Sequence, residues 1–189
     1  MKDLFRGSLV RLTMEEPDVR AKAEVRWQRD SEFHRLADGD PANMASEKKI
    51  KEWIEKRYDD GFKPERYPFS IYALSEDRLI GFIGLWADLV HSEGWVGIGI
   101  GEREFWGKGY GTDAMRLILQ YAFTEVCLQR VSLALHAYNE RGLKSYEKAG
   151  FRIEGRTRSD QHREGKRTDT LWMGILREEW VQLQQREKQ

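Results

Sequence analysis

The 189-residue chain has a single cysteine, Cys127, so it cannot close a disulfide on itself and a disulfide-stapled scaffold is excluded. That cysteine lies in the apolar run Tyr121–Leu128, which reads as a buried, unreactive thiol. No tandem repeat, low-complexity tract or Pro/Gly/Ser linker interrupts the sequence. No apolar run reaches the ~20 residues of a membrane-spanning helix. The N-terminus, Met1-Lys2-Asp3-Leu4-Phe5-Arg6, lacks the apolar stretch of a signal peptide, so the expected compartment is the cytoplasm. Net charge is missing as well: 32 basic side chains balance 32 acidic ones, which argues against a nucleic-acid binder working by bulk charge. His34, His91, His136 and His162 are scattered without metal-ligand spacing and no Cys/His cluster accompanies them, so no metal is expected. A Gly-x-Ser-x-Gly nucleophile motif is absent too, which favours direct attack by a substrate over an acyl-enzyme.

What is present is a globular composition, 40% hydrophobic and 34% charged, sufficient for a core in one domain spanning residues 1–189. Ser8–Met14 alternates as a first strand. Asp18–Asp38 and Ser46–Asp60 carry apolar positions at helical period: Val25, Phe33 and Leu36, then Ile50, Trp53, Ile54 and Tyr58. Phe69–Leu74, Arg78–Ala87 and Gly94–Gly101 read as strands. Thr112–Val126 is the strongest helix, with an apolar stripe from Ala114 to Val126. Arg130–Ala137 reads as a strand, and Asn139–Ala149 as a helix capped by Asn139 and closed by Gly150. Phe151–Thr157 and Thr168–Leu176 form a final hairpin across a polar, solvated loop, Arg158–Arg167, before a polar tail that offers Trp180 and Leu183 for docking. The predicted class is α/β: a mixed, mostly antiparallel sheet of six to seven strands flanked by about four helices.

Chemistry concentrates in Gly97-Ile-Gly-Ile-Gly101 and in Trp106-Gly-Lys-Gly-Tyr-Gly111, which leads into the strong helix. On a strand, Gly97, Gly99 and Gly101 share one face and leave it bare, a pattern that often marks close approach by a ligand or another backbone. A glycine-rich turn at a helix N-terminus offers unpaired N–H groups and the positive end of the helix dipole to a phosphate. The glycine spacing fits neither a P-loop nor a dinucleotide fingerprint. The alternative is a glycine-rich bulge and turn with no ligand.

On these residues the chain resembles the GNAT superfamily of acetyl-coenzyme A-dependent N-acetyltransferases, in particular the branch with ribosomal-protein N-terminal and spermidine acetyltransferases. The signature Gln/Arg-x-x-Gly-x-Gly/Ala is filled by Trp106-Gly-Lys-Gly109-Tyr-Gly111, with Trp in first place as in that branch. Asn139, Tyr146, Gly150 and Phe151 fill a second signature. The resemblance implies acetyl-CoA as co-substrate and a GNAT fold, with the first strand and acceptor-side helices in 1–66, the acetyl-CoA-binding core in 67–176 and a helical tail in 177–189. It also allows for a homodimer.

The resemblance implies that main-chain groups of Trp106, Gly107, Lys108, Gly109, Tyr110, Gly111 and Thr112 hold the coenzyme A pyrophosphate. Main-chain groups of Ile98, Gly99 and Ile100 would pair with the pantetheine arm and stabilise the oxyanion, with Lys144 as a further cofactor contact. Asn139 would fix the pantetheine end, although it reads equally as a helix cap. Tyr146 would protonate the departing thiolate, although it shares a helical face with Leu143 and Ala149 and also reads as core. Where the branch often has a glutamate in the glycine strand, this chain has Trp95. Glu93, two residues earlier on the same face, is then the candidate base, or a solvated strand-end carboxylate. Trp27, Asp30, Arg35, Trp86 and Trp95 are the candidate acceptor contacts, although Trp27, like Phe33, taken alone reads better as a seal between the helix and the sheet. At pH 7 a peptide α-amine needs only ~1 kcal/mol to deprotonate, a lysine-like amine ~4.6 kcal/mol, so a site poor in carboxylates leans toward an α-amine. A polyamine, an aminoglycoside-like amine or a silent coenzyme A-binding module are the alternatives.

Overall fold

The computed structural model describes residues 3–59 and 65–186. Strand β1 (Val10–Thr13) is followed by helices α1 (Pro17–Gln28), α2 (Ser31–Ala37) and α3 (Glu47–Asp59). Strands β2 (Arg66–Ala73), β3 (Arg78–Asp88) and β4 (Glu93–Ile100) then lead to α4 (Tyr110–Thr124). The chain closes with β5 (Arg130–His136), α5 (Glu140–Ala149), β6 (Arg152–Arg163), β7 (Lys166–Leu176) and α6 (Arg177–Arg186). All seven strands form one sheet in the order β1-β2-β3-β4-β5-β7-β6, antiparallel throughout except where β4 meets β5. Six helices rather than about four flank it among the described residues.

The core forms because α4 presents the stripe its sequence carries. Ala114, Met115, Ile118, Leu119, Ala122 and Phe123 are fully buried against Ile71, Ile83, Leu85, Val131, Leu133 and Ile175 of the sheet. Each large apolar side chain so buried contributes roughly 1.5–3 kcal/mol. On the opposite face Ala23, Trp27, Phe33 and Leu79 form a second, aromatic cluster. Ile50 and Ile54 of α3 pack on Ala21 of α1, while Trp53 is exposed; the side chain of Tyr58 and residue Asp60 lie outside the described residues.

Three expectations change. The helix predicted over 18–38 is two helices, because Asp30 accepts hydrogen bonds from the N–H groups of Glu32 (3.0 Å) and Phe33 (3.2 Å) and so starts α2 afresh. The polar loop predicted over 158–167 is mostly strand: β6 and β7 run to a two-residue turn, Glu164-Gly165, with φ of +50° and +74°. Its charged side chains stay largely exposed along the hairpin, a pattern that polarity alone cannot separate from a loop. Cys127 is exposed and not buried, since it sits at φ +59° where the chain leaves α4, and Leu128 takes the buried place instead.

Candidate active site

Strands β4 and β5 pair over three positions only, Glu93 with Arg130, Gly94 with Val131 and Trp95 with Ser132. Beyond them both strands continue, to Ile100 and to His136, but they diverge. The β5-facing main-chain donors and acceptors of Val96–Ile100 therefore have no strand partner, and a cleft of about 920 Å³ opens between the strands. At its far end the indole Nε1 of Trp106 donates to the Ile100 carbonyl (2.6 Å), and the Arg141 guanidinium lies 4.1 Å over the Trp106 ring.

The glycine turn closes one end of this cleft. Gly107 (φ +71°) and Gly109 (φ +92°) both take left-handed backbone, and Gly109 is the N-cap of α4. A Cβ on Gly107 would meet nothing within 4 Å, so the turn is open to an occupant. The first intrahelical bond runs from Asp113 N–H to the Gly109 carbonyl (2.9 Å), leaving the N–H groups of Tyr110, Gly111 and Thr112 in the unpaired first turn. The Asp113 carboxylate accepts from the main chain of Ser8 (3.3 Å), Leu9 (2.7 Å) and Val10 (3.0 Å), which ties β1 to this turn. Thr112 and Ser145 share a hydroxyl–hydroxyl bond of 2.9 Å that joins α4 to α5. Arg116, Arg141, Lys144 and Lys148 add positive charge along the wall. Trp106 and Thr112 line the cleft, whereas the side chains of Lys108 and Tyr110 do not; Tyr110 packs edge-on against Phe105, so these two residues offer main chain only.

Tyr146 of α5 lines the cleft, and its hydroxyl has no hydrogen-bond partner among the described residues. Burial pushes this phenol up to about 12. Asn139 also reaches the cleft, but its side chain is engaged: Oδ1 accepts from Gly142 N–H (2.9 Å) as the cap of α5, and Nδ2 donates to the Leu36 carbonyl (3.4 Å).

The glycine strand serves a different purpose from the one its pattern suggests. A Cβ on Gly97 would lie 3.2 Å from Trp86, one on Gly99 2.9 Å from Phe82 and 3.1 Å from Phe33, and one on Gly101 would overlap Trp27. The bare face is thus filled by aromatic rings of β3, α1 and α2. Trp27 is 2% exposed and donates from Nε1 to Glu102 (2.8 Å), a carboxylate also paired with Arg26 and Arg78. Burial by itself raises the Glu102 carboxyl, but hydrogen bonds from Arg26 and Trp27 and the charges of Arg26 and Arg78 outweigh it and hold it below the usual range.

Several predicted acceptor contacts therefore stand elsewhere. Trp27 belongs to the core. Asp30 caps α2 and is gripped by Arg103, whose hydrogen bond lowers its carboxyl pKa. Arg35 pairs with Glu164 (2.7 Å) on the outer surface. Glu93 sits at the closed end of the splay opposite Arg130, four residues before Gly97, or about 13 Å at ~3.3 Å per residue, so it does not reach the open part of the cleft. Trp86 (46% exposed) and Trp95 (40%) are cross-strand neighbours just outside the cleft. Trp95 meets Trp172 edge-on at 5.7 Å, and Trp172 lines the cleft itself. Phe33, Leu36, Ala37 and Gly39, with Asp160 and Gln161 turned inward by an irregularity of β6, complete the wall on this side. Sequence reading missed Trp172, Asp113 and Gln161, because only the β5–β7, β1–α4 and β6–β7 contacts bring them to the site. Among the described residues no cluster of His, Cys, Asp and Glu side chains is placed to hold a metal ion, and no helix is long and apolar enough to cross a membrane.

A sequence profile described as an acetyltransferase (GNAT) domain matches residues 9–152. The probable N-acetyltransferase YjcK of Bacillus subtilis (strain 168) is 33% identical over 131 residues, 68% of this chain and 70% of its own length. The putative ribosomal N-acetyltransferase YdaF of the same organism is 34% identical over 108 residues, 57% of this chain and 58% of its own. Among solved structures, the spermidine N-acetyltransferase of Vibrio cholerae in complex with CoA and spermine has the same fold, with a TM-score of 0.78 at 22% identity, over 92% of this chain and 99% of that one.

Proposed function

The chain belongs to the GNAT family of acetyl-CoA-dependent acyltransferases, and from that premise we propose that it acetylates a primary amine, foremost a peptide N-terminal α-amine, by direct attack in a ternary complex. The observation that carries this reading is the unpaired β5-facing edge of Val96–Ile100, which opens beside Tyr146 and runs toward the glycine turn. Bound acetyl-CoA supplies the thioester that the amine attacks.

The residues fit such a ligand. Main-chain N–H groups of Gly107 to Thr112 receive the pyrophosphate, with the helix dipole and Arg116, Lys144 and Lys148 adding charge. The edge of Ile98, Gly99 and Ile100 pairs with the pantetheine amides as an added strand would, and one of its N–H groups faces the oxyanion. Asn139 acts mainly by fixing the start of α5. Tyr146, kept protonated by its raised pKa, directs its hydroxyl at the leaving sulfur. The amine arrives from the opposite face, past Phe33 and Trp172, with Trp95 and Trp86 continuing the aromatic surface outward.

The acceptor side bears on the choice of amine. Its lining sets Phe33, Leu36, Ala37 and Trp172 beside the uncharged polar residues Gln161 and Thr170 and the ring of His136, and among the described residues Asp160 is the one carboxylate there; Asp113 is held by main chain at the other end. A polyamine, with several charges to neutralise, is served poorly by such a wall, whereas a peptide α-amine needs one charge handled. The test is release of thiol from acetyl-CoA with a peptide bearing a free N-terminal alanine, spermidine and an aminoglycoside. Turnover fastest with the peptide is expected. Calorimetric binding of coenzyme A with no turnover of any of the three would instead favour a silent binding module, and faster turnover of spermidine would favour the polyamine reading.

A further inference from the structure

One stretch of the acceptor wall is built from irregular backbone and carries polar groups that the protein itself leaves unused. Strand β6 pairs with β7 at Thr157 with Thr170 and next at Gln161 with Thr168, so Arg158, Ser159 and Asp160 stand against Asp169 alone. Successive residues of a regular strand point to opposite faces. Here Asp160 and its neighbour Gln161 both line the cleft, as a bulge that re-aims side chains allows. Ser159 takes φ +54°, a left-handed conformation that few non-glycine residues adopt and that persists only where its surroundings hold it.

The surroundings do hold it. The Asp169 carboxylate accepts from the Ser159 N–H (2.8 Å) and from Arg156 Nε (2.5 Å), and Arg167 Nη1 donates to the Ser159 carbonyl (3.4 Å). The Ser159 N–H bond, with Arg156 beside it, holds the Asp169 carboxyl below its usual range. The Asp169 carbonyl in turn accepts from the Ala137 N–H (2.8 Å), which fixes the bulge to the chain just past β5. Arg163 donates to the carbonyls of Asp38 (2.6 Å) and Asp40 (3.1 Å), and a Cβ on Gly39 would stand 3.5 Å from Gln161 Oε1, so the bulge is also braced against the turn after α2. The side chains it presents stay accessible and unengaged. Asp160 is exposed and Gln161 half-buried, and among the described residues no hydrogen bond or ion pair takes up the carboxylate of the one or the amide of the other. Neighbouring carboxylates are engaged: Asp169 by Ser159 and Arg156, Glu164 by Arg35, and Asp38 by the Asp40 N–H.

A carboxylate and a primary amide on consecutive residues match the start of a peptide, which carries an ammonium and a carbonyl on one residue. On the acetyl-transfer reading above, we propose that Asp160 and Gln161 recognise a peptide N-terminus at two points: the Asp160 carboxylate takes the ammonium, and the Gln161 side-chain N–H donates to the carbonyl of the first residue. At pH 7 an α-amine with a pKa of ~7.8 arrives mostly as its cation, and that proton leaves to water before the nitrogen attacks. The first contact is charge-assisted and the stronger of the two. A polyamine offers charge but no carbonyl, so it fills only the Asp160 point.

The test is titration calorimetry on protein saturated with coenzyme A, which has no acetyl group to transfer, so binding is read apart from turnover. The probes are a peptide with a free N-terminal alanine, the same peptide with that amine replaced by hydrogen, and spermidine. Asp160→Asn should raise the Kd of the free-amine peptide about 10-fold or more and leave that of the desamino peptide as it was. Gln161→Met should raise the Kd of the free-amine peptide about 2- to 10-fold and leave that of spermidine unchanged. Coenzyme A affinity and Tm should hold within error in both variants. A wild type that binds neither peptide overturns the proposal, as does an Asp160→Asn variant that binds the free-amine peptide like the wild type or loses equal affinity for the desamino form. A Gln161→Met variant that weakens spermidine as far as the peptide overturns the second contact. Coenzyme A affinity lost in step with peptide affinity marks a merely structural bulge and overturns both. Thiol release from acetyl-CoA is followed in parallel. The expected binding pattern without turnover of any amine supports the site and removes the transfer reading. Turnover of the peptide with a Kd indifferent to Asp160 removes this proposal and leaves the transfer reading standing.

Discussion

Gly111→Ala separates ligand binding from folding because the two should move in opposite directions. Gly111 is the second residue of α4 and has ordinary helical backbone; an added Cβ would find Ser145 Oγ at 3.6 Å and an Ile100 side-chain carbon at 3.8 Å, ordinary contact distances. Alanine is favoured over glycine within a helix by about 0.8–1.0 kcal/mol, and somewhat less in the first turn, so the free protein should gain about 0.5–1 kcal/mol. For a chain of this length that raises Tm by roughly 1–4 °C in a calorimetric scan. On the proposed function, the same methyl group stands where the pyrophosphate would approach the first-turn N–H groups. Losing one charge-assisted hydrogen bond costs about 1.5–3 kcal/mol, so coenzyme A should bind about 10- to 150-fold more weakly by titration calorimetry. A Tm that rises while the Kd stays put would refute the placement of the pyrophosphate against α4. Gly107→Ala provides the contrast: its Cβ has open space, but φ +71° imposes about 1–2 kcal/mol of strain, so Tm should fall.

Tyr146→Phe removes a hydroxyl that bonds to nothing in the protein, so Tm should stay within error while kcat falls about 10²-fold or more, with coenzyme A affinity within twofold; equal losses in both would remove its role as acid. Because the folded-state phenol is raised to about 12, above the ~10 of an unfolded chain, it stays protonated through the assay range. The kcat profile should then have no descending limb below about pH 10, and stability should decline as pH climbs from ~10 toward 12, where the unfolded chain ionises first. A descending kcat limb centred near pH 8–9 would contradict this. Asp113→Ala strips the charged acceptor from the N–H groups of Ser8, Leu9 and Val10 and should cost ~2–3 kcal/mol in urea unfolding, since bonds to a carboxylate are the strong ones; a loss under ~0.5 kcal/mol would show that water replaces it.

The elements legible in the sequence were those whose signal is local. The stripe of α4, the Asn139 cap with Gly150 behind it, and the glycine turn ahead of α4 each need only a few neighbouring residues to be read, and each lies within two residues of its predicted place. The misread features depend on partners far along the chain. Asp30 breaks a helical period because it caps α2 and because Arg103, 73 positions away, holds it. Trp27 read both as a seal between helix and sheet and as an acceptor contact, and Glu102 and Gly101, just past the end of β4, enclose it in the first role.

The glycine strand lines the cleft for a reason other than the one its pattern suggests. The alternation of Gly97, Gly99 and Gly101 suggested a face kept bare for a ligand, yet Trp86, Phe82, Phe33 and Trp27 fill that face. The groups available to a ligand are on the edge of the strand, not on its face, and they are main-chain atoms that every residue carries. A surface of that kind leaves no side-chain signature. What the sequence records instead is the packing that holds the edge open: small residues let aromatic rings press on β4 from one side while Val96, Ile98 and Ile100 bear on the α4 core from the other. Clamped between two packed layers, β4 cannot follow β5 past Trp95, and the divergence that makes the cleft is a consequence of core packing on both faces of a single strand.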